Sequence, residues 1–224
     1  MFRNWVEPLL LALLVVNVLM ATLPLLELAA TANNWRLFML RRVDPAFLAH
    51  QKKIHARDHY TCQFCQFQAM NHLETINLNG NYLDNKRENL VTACGLCAQC
   101  FFLEAVGKSD FGGGVLIYLP EMTQNELNAL CHVIFASLTC RLSTASHAKN
   151  IYRSLKMRAQ LVEEKVGEGL SNPAQFGQML IEAGEKKKTA IHEAIMTSFR
   201  LLPNMARFSA EIIAWSQAGI NALG

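Results

Sequence analysis

Two C-x2-C pairs, Cys62-Gln63-Phe64-Cys65 and Cys94-Gly95-Leu96-Cys97, lie 28 residues apart and constrain this chain more than any other feature. Each pair forms a tight knuckle that offers two thiolates to one ion, and two knuckles complete a tetrahedral four-sulfur site. The two ends of the intervening segment must then meet at one point in the fold. Five of the seven cysteines crowd into positions 62–100, and the odd total argues against a secreted disulfide framework. Cys62, Cys65, Cys94 and Cys97 therefore read as ligands of one structural Zn2+ per chain, in a reducing compartment. A closed four-sulfur shell has no open position, so the metal holds structure and performs no chemistry. It would contribute on the order of 10 kcal/mol to folding. Cys100 competes with Cys97 as a ligand, because the second knuckle continues as C-x2-C-x2-C. Cys131 and Cys140 sit in an apolar helical stretch and read as core residues.

Around the knuckles the local signals are mixed. Asn33-Asn34 is turn chemistry, and Trp35–Leu40 (WRLFML) alternates well enough to suggest a strand. Asp44 before Pro45 is an N-cap followed by a first-turn proline, so a helix is expected from Pro45 towards His59. Between the knuckles lies one predicted strand, Leu73–Leu78. Phe101–Val106 reads as a short helix ended by Gly107. After Gly112-Gly113-Gly114 comes a compact apolar strand, Val115–Leu119, which reads as a core strand; a partner groove around Phe111, Val115 and Tyr118 is the alternative.

Beyond Pro120 the pattern is helical. Thr123 and Glu126 form a capping box ahead of Leu127, Leu130, Cys131, Ile134 and Leu138. A second helix is expected over Ala148–Val166, stopped by Gly167 and Gly169, and a third starts at Ser171 and Pro173. Ile191, Ile195, Phe199 and Leu202 suggest a fourth, interrupted by Pro203, and Ile212, Ile213 and Trp215 a last one. The Glu185–Lys188 run reads as a solvated helix start. The expected fold class is α+β: a zinc-stapled module over 33–119 followed by a helical region over 120–224.

Residues 1–32 form a separate apolar segment. From Pro8 to Leu26 there is no charged side chain. Those nineteen residues would span about 28 Å as a helix, close to the hydrocarbon thickness of a bilayer. Three readings stand together: a membrane anchor, a misassigned leader with the true start at Met20, and a secretory signal cleaved after Ala30-Thr31-Ala32. Only Arg3 precedes the run, whereas Arg36, Arg41, Arg42, Lys52 and Lys53 follow it, an asymmetry that keeps the large domain cytoplasmic.

Charge narrows the function classes. The chain is 51% hydrophobic with a net charge of +3, which excludes a disordered polymer. Residues 36–110, which hold the knuckles, carry only +2, too little for nucleic-acid binding to be expected.

The residues flanking the knuckles carry a family resemblance. Arg57-Asp58-His59-Tyr60-Thr61-Cys62-Gln63-Phe64-Cys65 opens the segment, and Glu88-Asn89-Leu90-Val91-Thr92-Ala93-Cys94-Gly95-Leu96-Cys97 closes it. This resembles the HNH endonucleases with a zinc-stapled ββα-metal fold. The resemblance implies a His pair on the strand between the knuckles, as general base and metal ligand, an orienting Asn in the next loop, and a His after the second knuckle. Here the pair position reads Glu74-Thr75, and Ala98-Gln99-Cys100-Phe101-Phe102 holds no His. Asn89 matches the loop Asn. Thr is no base near neutral pH, and neither Ala nor Phe binds magnesium. His72, two residues before Glu74 and so on the same face of an extended strand, is the candidate substitute. The expectation is an HNH-like scaffold with no catalytic residues; a metal-dependent HNH endonuclease using His72, or a nucleic-acid-binding zinc protein, is the alternative.

Longer words resemble a narrower family. NWRLFMLRRVDPAF, RDHYTCQFCQFQA, NLVTACGLCAQCFFLEAVG, GGGVLIYLPEMTQNELNALCHVIF and NIYRSLKMRAQLVEEKVGEG are similar, in this order, to the DotN (IcmJ) family of the Dot/Icm type IVB secretion system. That resemblance implies a non-catalytic adaptor docked on the C-terminal extension of the coupling ATPase DotL, with other coupling-complex subunits, at the cytoplasmic face of the inner membrane. It implies export of effector proteins as the process served. Membrane association would come mainly through partners, with residues 8–26 as a possible direct contact.

Overall fold

The computed structural model describes residues 24–183 and 197–223. The chain enters as an extended segment laid across the core. Leu26, Leu28 and Ala30 are buried, and a two-bond clasp (Ala29 N–H to Cys100 O, 2.8 Å; Leu103 N–H to Ala29 O, 2.9 Å) holds it in place. Helix α1 (Asn34–Arg41) follows where a strand was expected. Asn33 adopts φ +68°, which reverses the chain, and Phe38 and Arg41, three residues apart, then face inward together. Helical spacing buries that pair, whereas an extended WRLFML would have no neighbouring strand to bond.

The Arg41 guanidinium is buried over the rings of Tyr82 (4.6 Å) and Phe47 (4.5 Å), and donates to Asn77 Oδ1 and Thr75 O. Burial lowers its pKa to about 10. Helix α2 (Pro45–Arg57) starts as expected, with Asp44 Oδ1 accepting from Ala46 N–H at 2.9 Å.

Strand β1 (Leu73–Asn77) pairs antiparallel with β2 (Leu90–Cys94), Leu73 opposite Cys94 and Asn77 opposite Leu90. The turn-rich stretch between them is tied by Asn77, whose amide donates to Asn81 O and Asp84 O. Helix α3 (Gly95–Ala98) follows β2 directly. The expected helix over Phe101–Val106 is instead two 3₁₀ turns, Gln99–Phe101 and Leu103–Ala105.

Strand β3 (Gly114–Tyr118) pairs antiparallel with β4 (Phe199–Pro203), Gly114 opposite Pro203 and Tyr118 opposite Phe199. This corrects the expectation of an all-helical region after Pro120. Phe199 and Leu202 are buried in a strand, because β3 needs a hydrogen-bonding partner and FRLLP supplies one. A Cβ at Gly114 would lie 2.5 Å from Leu202 O, so the sheet closes only around glycine there. Helix α4 (Gln124–Thr139) carries the expected Thr123–Glu126 capping box. The single helix expected over Ala148–Val166 is two, α5 (Ala145–Met157) and α6 (Ala159–Val166); Gly167, at φ +119°, ends the second. Helix α7 (Pro173–Glu182) is capped by Asn172, and α8 (Ser209–Leu223) closes the chain.

One apolar cluster runs continuously from Leu26 to Ile212. Phe111 belongs to it, in edge contact with Phe38 and Phe102. Among the described residues no helix is long and apolar enough to cross a membrane. Of the apolar run, Pro24–Leu26 are extended and the rest lies outside the described residues, as do Glu185–Lys188, Ile191 and Ile195.

Candidate metal centre

The first knuckle is built by a reversal after α2. His59 and Tyr60 take φ +53° and +54°, turning the chain into a miniature hairpin bridged between Thr61 and Gln68. Within it Cys62 N–H donates to Phe67 O (2.8 Å) and Gln66 N–H to Cys62 O (3.0 Å). The preceding Arg57-Asp58 pair clamps this hairpin onto β2. Arg57 donates to Asp58 at 2.7 and 3.0 Å and to Leu90 O at 2.6 Å, while Asp58 Oδ2 accepts from Thr92 N–H at 2.8 Å. Burial works to raise the Asp58 pKa, but the Arg57 and Thr92 hydrogen bonds outweigh it and hold it below the ordinary carboxylate value. Gln63 N–H adds a bond to Thr92 O (2.9 Å). The second knuckle is formed by the end of β2 and the first turn of α3, which carry Cys94 and Cys97.

These elements bring four sulfurs together. The Sγ atoms of Cys62, Cys65, Cys94 and Cys97 all lie within 4.8 Å of one another, and the Cys65–Cys94 separation is 3.6 Å. A tetrahedron with metal–sulfur bonds of about 2.3 Å has edges of about 3.8 Å, so the quartet has the size to hold one metal ion. All four side chains are buried. Burial pushes the Cys94 and Cys97 thiols far up, and nearby Cys62 adds to it; hydrogen bonds from Cys65, Cys94 and Cys97 overcome burial at Cys62 and pull it down. Four thiolates so close together repel strongly, and a divalent cation is the chemistry that offsets them. Among the described residues this is the one cluster of His, Cys, Asp and Glu side chains spaced to hold a metal.

The other cysteines stand apart. Cys100 Sγ donates to Leu96 O at 3.5 Å, and Cys131 is buried in α4; burial pushes both thiols up. Cys140 is half-buried at the end of that helix.

Helix α4 lines the quartet with polar groups that the sequence reading missed. Asn125, Asn128 and His132 recur at spacings of three and four and share one face. Asn125 Nδ2 donates to Phe64 O (2.9 Å), and Asn128 Nδ2 to Cys97 Sγ (3.2 Å) and Leu96 O (3.3 Å). His132 Nε2 lies 3.3 Å from Cys94 Sγ, the tautomer with the proton on Nε2 making it a donor. Its ring stacks on Phe67, centroids 3.7 Å apart and planes 4° apart. Burial lowers the His132 pKa to about 4, so the imidazole is neutral. The available signal was the recurrence of Asn125, Asn128 and His132 at helical spacing, on a face flanking the apolar stripe of Leu127, Cys131 and Ile134.

The positions compared with HNH enzymes are occupied by structural contacts. Glu74 pairs with Arg42 at 2.9 Å, and burial raises its pKa. Thr75 is buried, its Oγ1 3.2 Å from the Nε2 of His55, a buried residue that also sits 3.2 Å from Glu74 O. Asn89 spends its amide on the β1–β2 connection, donating to Asp84 O and accepting from Asn79 N–H. His72 is exposed at φ +58°, one residue before β1 begins, and so is not itself a strand residue. It lines a shallow cleft with Arg42, Leu48, Glu74 and Glu211.

No family model matches the chain. A curated protein of Legionella pneumophila (strain Philadelphia 1), named Type 4 apparatus protein DotN, is 49% identical to it over 198 residues. The alignment covers 88% of this chain and 92% of that protein.

Proposed function

Because this chain belongs to the DotN family, we propose that it is a non-catalytic, zinc-binding adaptor of a type IVB secretion coupling complex. In this reading it docks on the C-terminal extension of the coupling ATPase DotL, at the cytoplasmic face of the inner membrane, and supports export of effector proteins. The relative's name places that protein in a type IV apparatus; the finer role is inferred here. The observation that carries it is the closed, buried sulfur quartet in a scaffold whose reactive positions are spent on structure.

Cys62, Cys65, Cys94 and Cys97 would hold one Zn2+, for which all-thiolate tetrahedral shells are a common structural site. When bound, zinc closes the segment between the knuckles and fixes the β1–β2–α3 unit, whose order is that of an HNH-like ββα-metal module. Thr75 and Glu74, where a catalytic His pair would stand, instead brace α2 and Arg42. The +2 charge over 36–110 supports protein rather than nucleic acid as the partner. Membrane association then comes chiefly through partners.

The direct test mixes the purified protein with the purified DotL C-terminal extension and follows complex formation by size-exclusion chromatography with zinc analysis. A stoichiometric complex carrying one zinc per chain is expected. Absence of a complex, using protein that holds its zinc, would overturn the adaptor reading. A parallel incubation with plasmid DNA and magnesium or manganese is expected to leave the DNA intact; cleavage abolished by His72→Ala would establish the nuclease alternative.

A further inference from the structure

The sulfur quartet is linked to the C-terminal helix through a stack of three rings. Phe67 lies two residues after Cys65, and its carbonyl accepts the Cys62 N–H, so its ring rides on the first knuckle itself. His132 lies flat on Phe67 and points Nε2 at Cys94 Sγ on the second knuckle. Trp215 of α8 packs edge-on against both rings, 4.9 Å from Phe67 and 5.3 Å from His132. Its indole Nε1–H donates to Asn71 O (3.1 Å), in the segment leading from the first knuckle to β1. Its ring contacts and its hydrogen bond go to Phe67, His132 and Asn71. It contacts the two rings whose positions the two knuckles set.

We propose that Phe67, His132 and Trp215 couple the metal centre to helix α8, so that metal occupancy governs how firmly α8 is docked and α8 docking governs how firmly the metal is held. The inference rests on the zinc reading given above. A donor aimed at a ligating sulfur fixes that ligand's orientation, and losing such an outer partner commonly costs about 10- to 100-fold in metal affinity. The Asp58–Thr92 and Gln63–Thr92 bonds hold the first knuckle near β2, and a shared ion then fixes the sulfur-to-sulfur spacing. If that spacing relaxes, the His132–Cys94 bond and the Phe67 platform move independently, and Trp215 loses the surface that both provide. Coupling of this kind is reciprocal in binding free energy. The full zinc-binding residue set is therefore wider than four cysteines: His132 is a positioning residue for Cys94, and Trp215 positions His132 from a helix distant in sequence.

The test uses the full chain and two readouts that do not depend on secretion. Zinc transfer to a chromogenic chelator is followed in wild type, Trp215→Ala, His132→Ala and His132→Gln, and amide hydrogen exchange over residues 209–218 is followed with and without chelator. All variants are expected to purify with one zinc. Trp215→Ala is expected to hold it at least about five-fold less tightly, an effect transmitted through Phe67 and His132. His132→Ala should lose about ten-fold or more, and His132→Gln, whose amide can still donate to Cys94, should recover part of it. Chelation of wild type should speed exchange across 209–218 to the rate seen in zinc-loaded Trp215→Ala. Wild-type zinc retention in both Trp215→Ala and His132→Ala would overturn the coupling and leave the stack as simple packing. Wild-type protein that contains no zinc would instead overturn the metal reading itself. Should Trp215→Ala fail to fold, Trp215→Phe, which keeps a ring but loses the Asn71 bond, carries the same comparison.

Discussion

Asn125 is the side chain whose loss should be felt most widely for its size. Its Oδ1 accepts from Leu26 N–H (2.8 Å), and its Nδ2 donates to Pro24 O (3.0 Å) and Phe64 O (2.9 Å). One buried amide thus ties the incoming segment, the first knuckle and helix α4 together. Asn125→Ala removes three hydrogen bonds, each contributing about 1 kcal/mol net, and strands buried groups whose desolvation costs about 1–3 kcal/mol apiece. Allowing for partial rescue of Pro24 O by water, the expected loss is about 3 kcal/mol. For a chain of this size that corresponds to a melting temperature lower by roughly 6–12 °C. Asn125→Asp separates hydrogen bonding from cavity formation, since it keeps the volume and the Leu26 acceptor but sets a carboxylate oxygen against Phe64 O. It should be at least as destabilised as the alanine variant at pH 7. The assay is thermal unfolding by circular dichroism with both proteins saturated in zinc at equal concentration, because bound metal adds to apparent stability. A loss below about 1 kcal/mol in both variants would refute the assignment of Asn125 as the junction.

Further outcomes follow from other residues. Elemental analysis should find zinc lost or sharply reduced in Cys97→Ser and retained in Cys100→Ser, Cys131→Ser and Cys140→Ser; zinc lost in Cys100→Ser and retained in Cys97→Ser would reassign the ligands. Gly177 of α7 sits against backbone, so an added Cβ would lie 2.4 Å from Glu104 N and 2.8 Å from Leu103 C. Gly177→Ala should therefore destabilise by about 2 kcal/mol in urea titration, the overlap outweighing the gain of about 1 kcal/mol from helix propensity. Burial pushes the Glu104 carboxyl up to about 7, against the pull of its own backbone amide and of Lys108. With an unfolded value of about 4.3, the native state binds more protons between those limits, so this group's contribution to stability falls as pH rises through that window. Glu104→Gln should gain on wild type from pH 5 to pH 8 by about 1–2 kcal/mol, after discounting for its partial exposure; parallel pH profiles would contradict this.

Much of the fold was readable where a signal is local. Asp44-Pro45 and the Thr123–Glu126 box mark helix starts because a cap bonds backbone two or three residues away, within reach of a short window, whereas the start expected at Ser171 and Pro173 is capped by Asn172. The C-x2-C pairs are equally local: four residues place two sulfurs side by side, and the recurrence of the pattern points to the four sulfurs that the fold brings within 4.8 Å of one another. Tertiary contacts decided the rest. Trp35–Leu40 has alternation enough for a strand, yet lies in a helix because Phe38 and Arg41 find Tyr82 and Asn77 on the same side. Phe199–Pro203 has helical spacing behind it, yet lies in a strand because β3, more than eighty residues earlier, leaves an edge to be bonded.

The surroundings of the quartet were hidden for the same reason. Asn128 and His132 meet Cys97 and Cys94 across separations of 31 and 38 residues, and an Asn or His on an amphipathic helix carries no mark of the sulfur it will face. A sequence written as caps and knuckles fixes what neighbouring residues do to one another. Which distant surfaces complete a strand edge or hydrogen-bond a buried sulfur depends on the folded core, since those bonds form only after the chain has closed on itself.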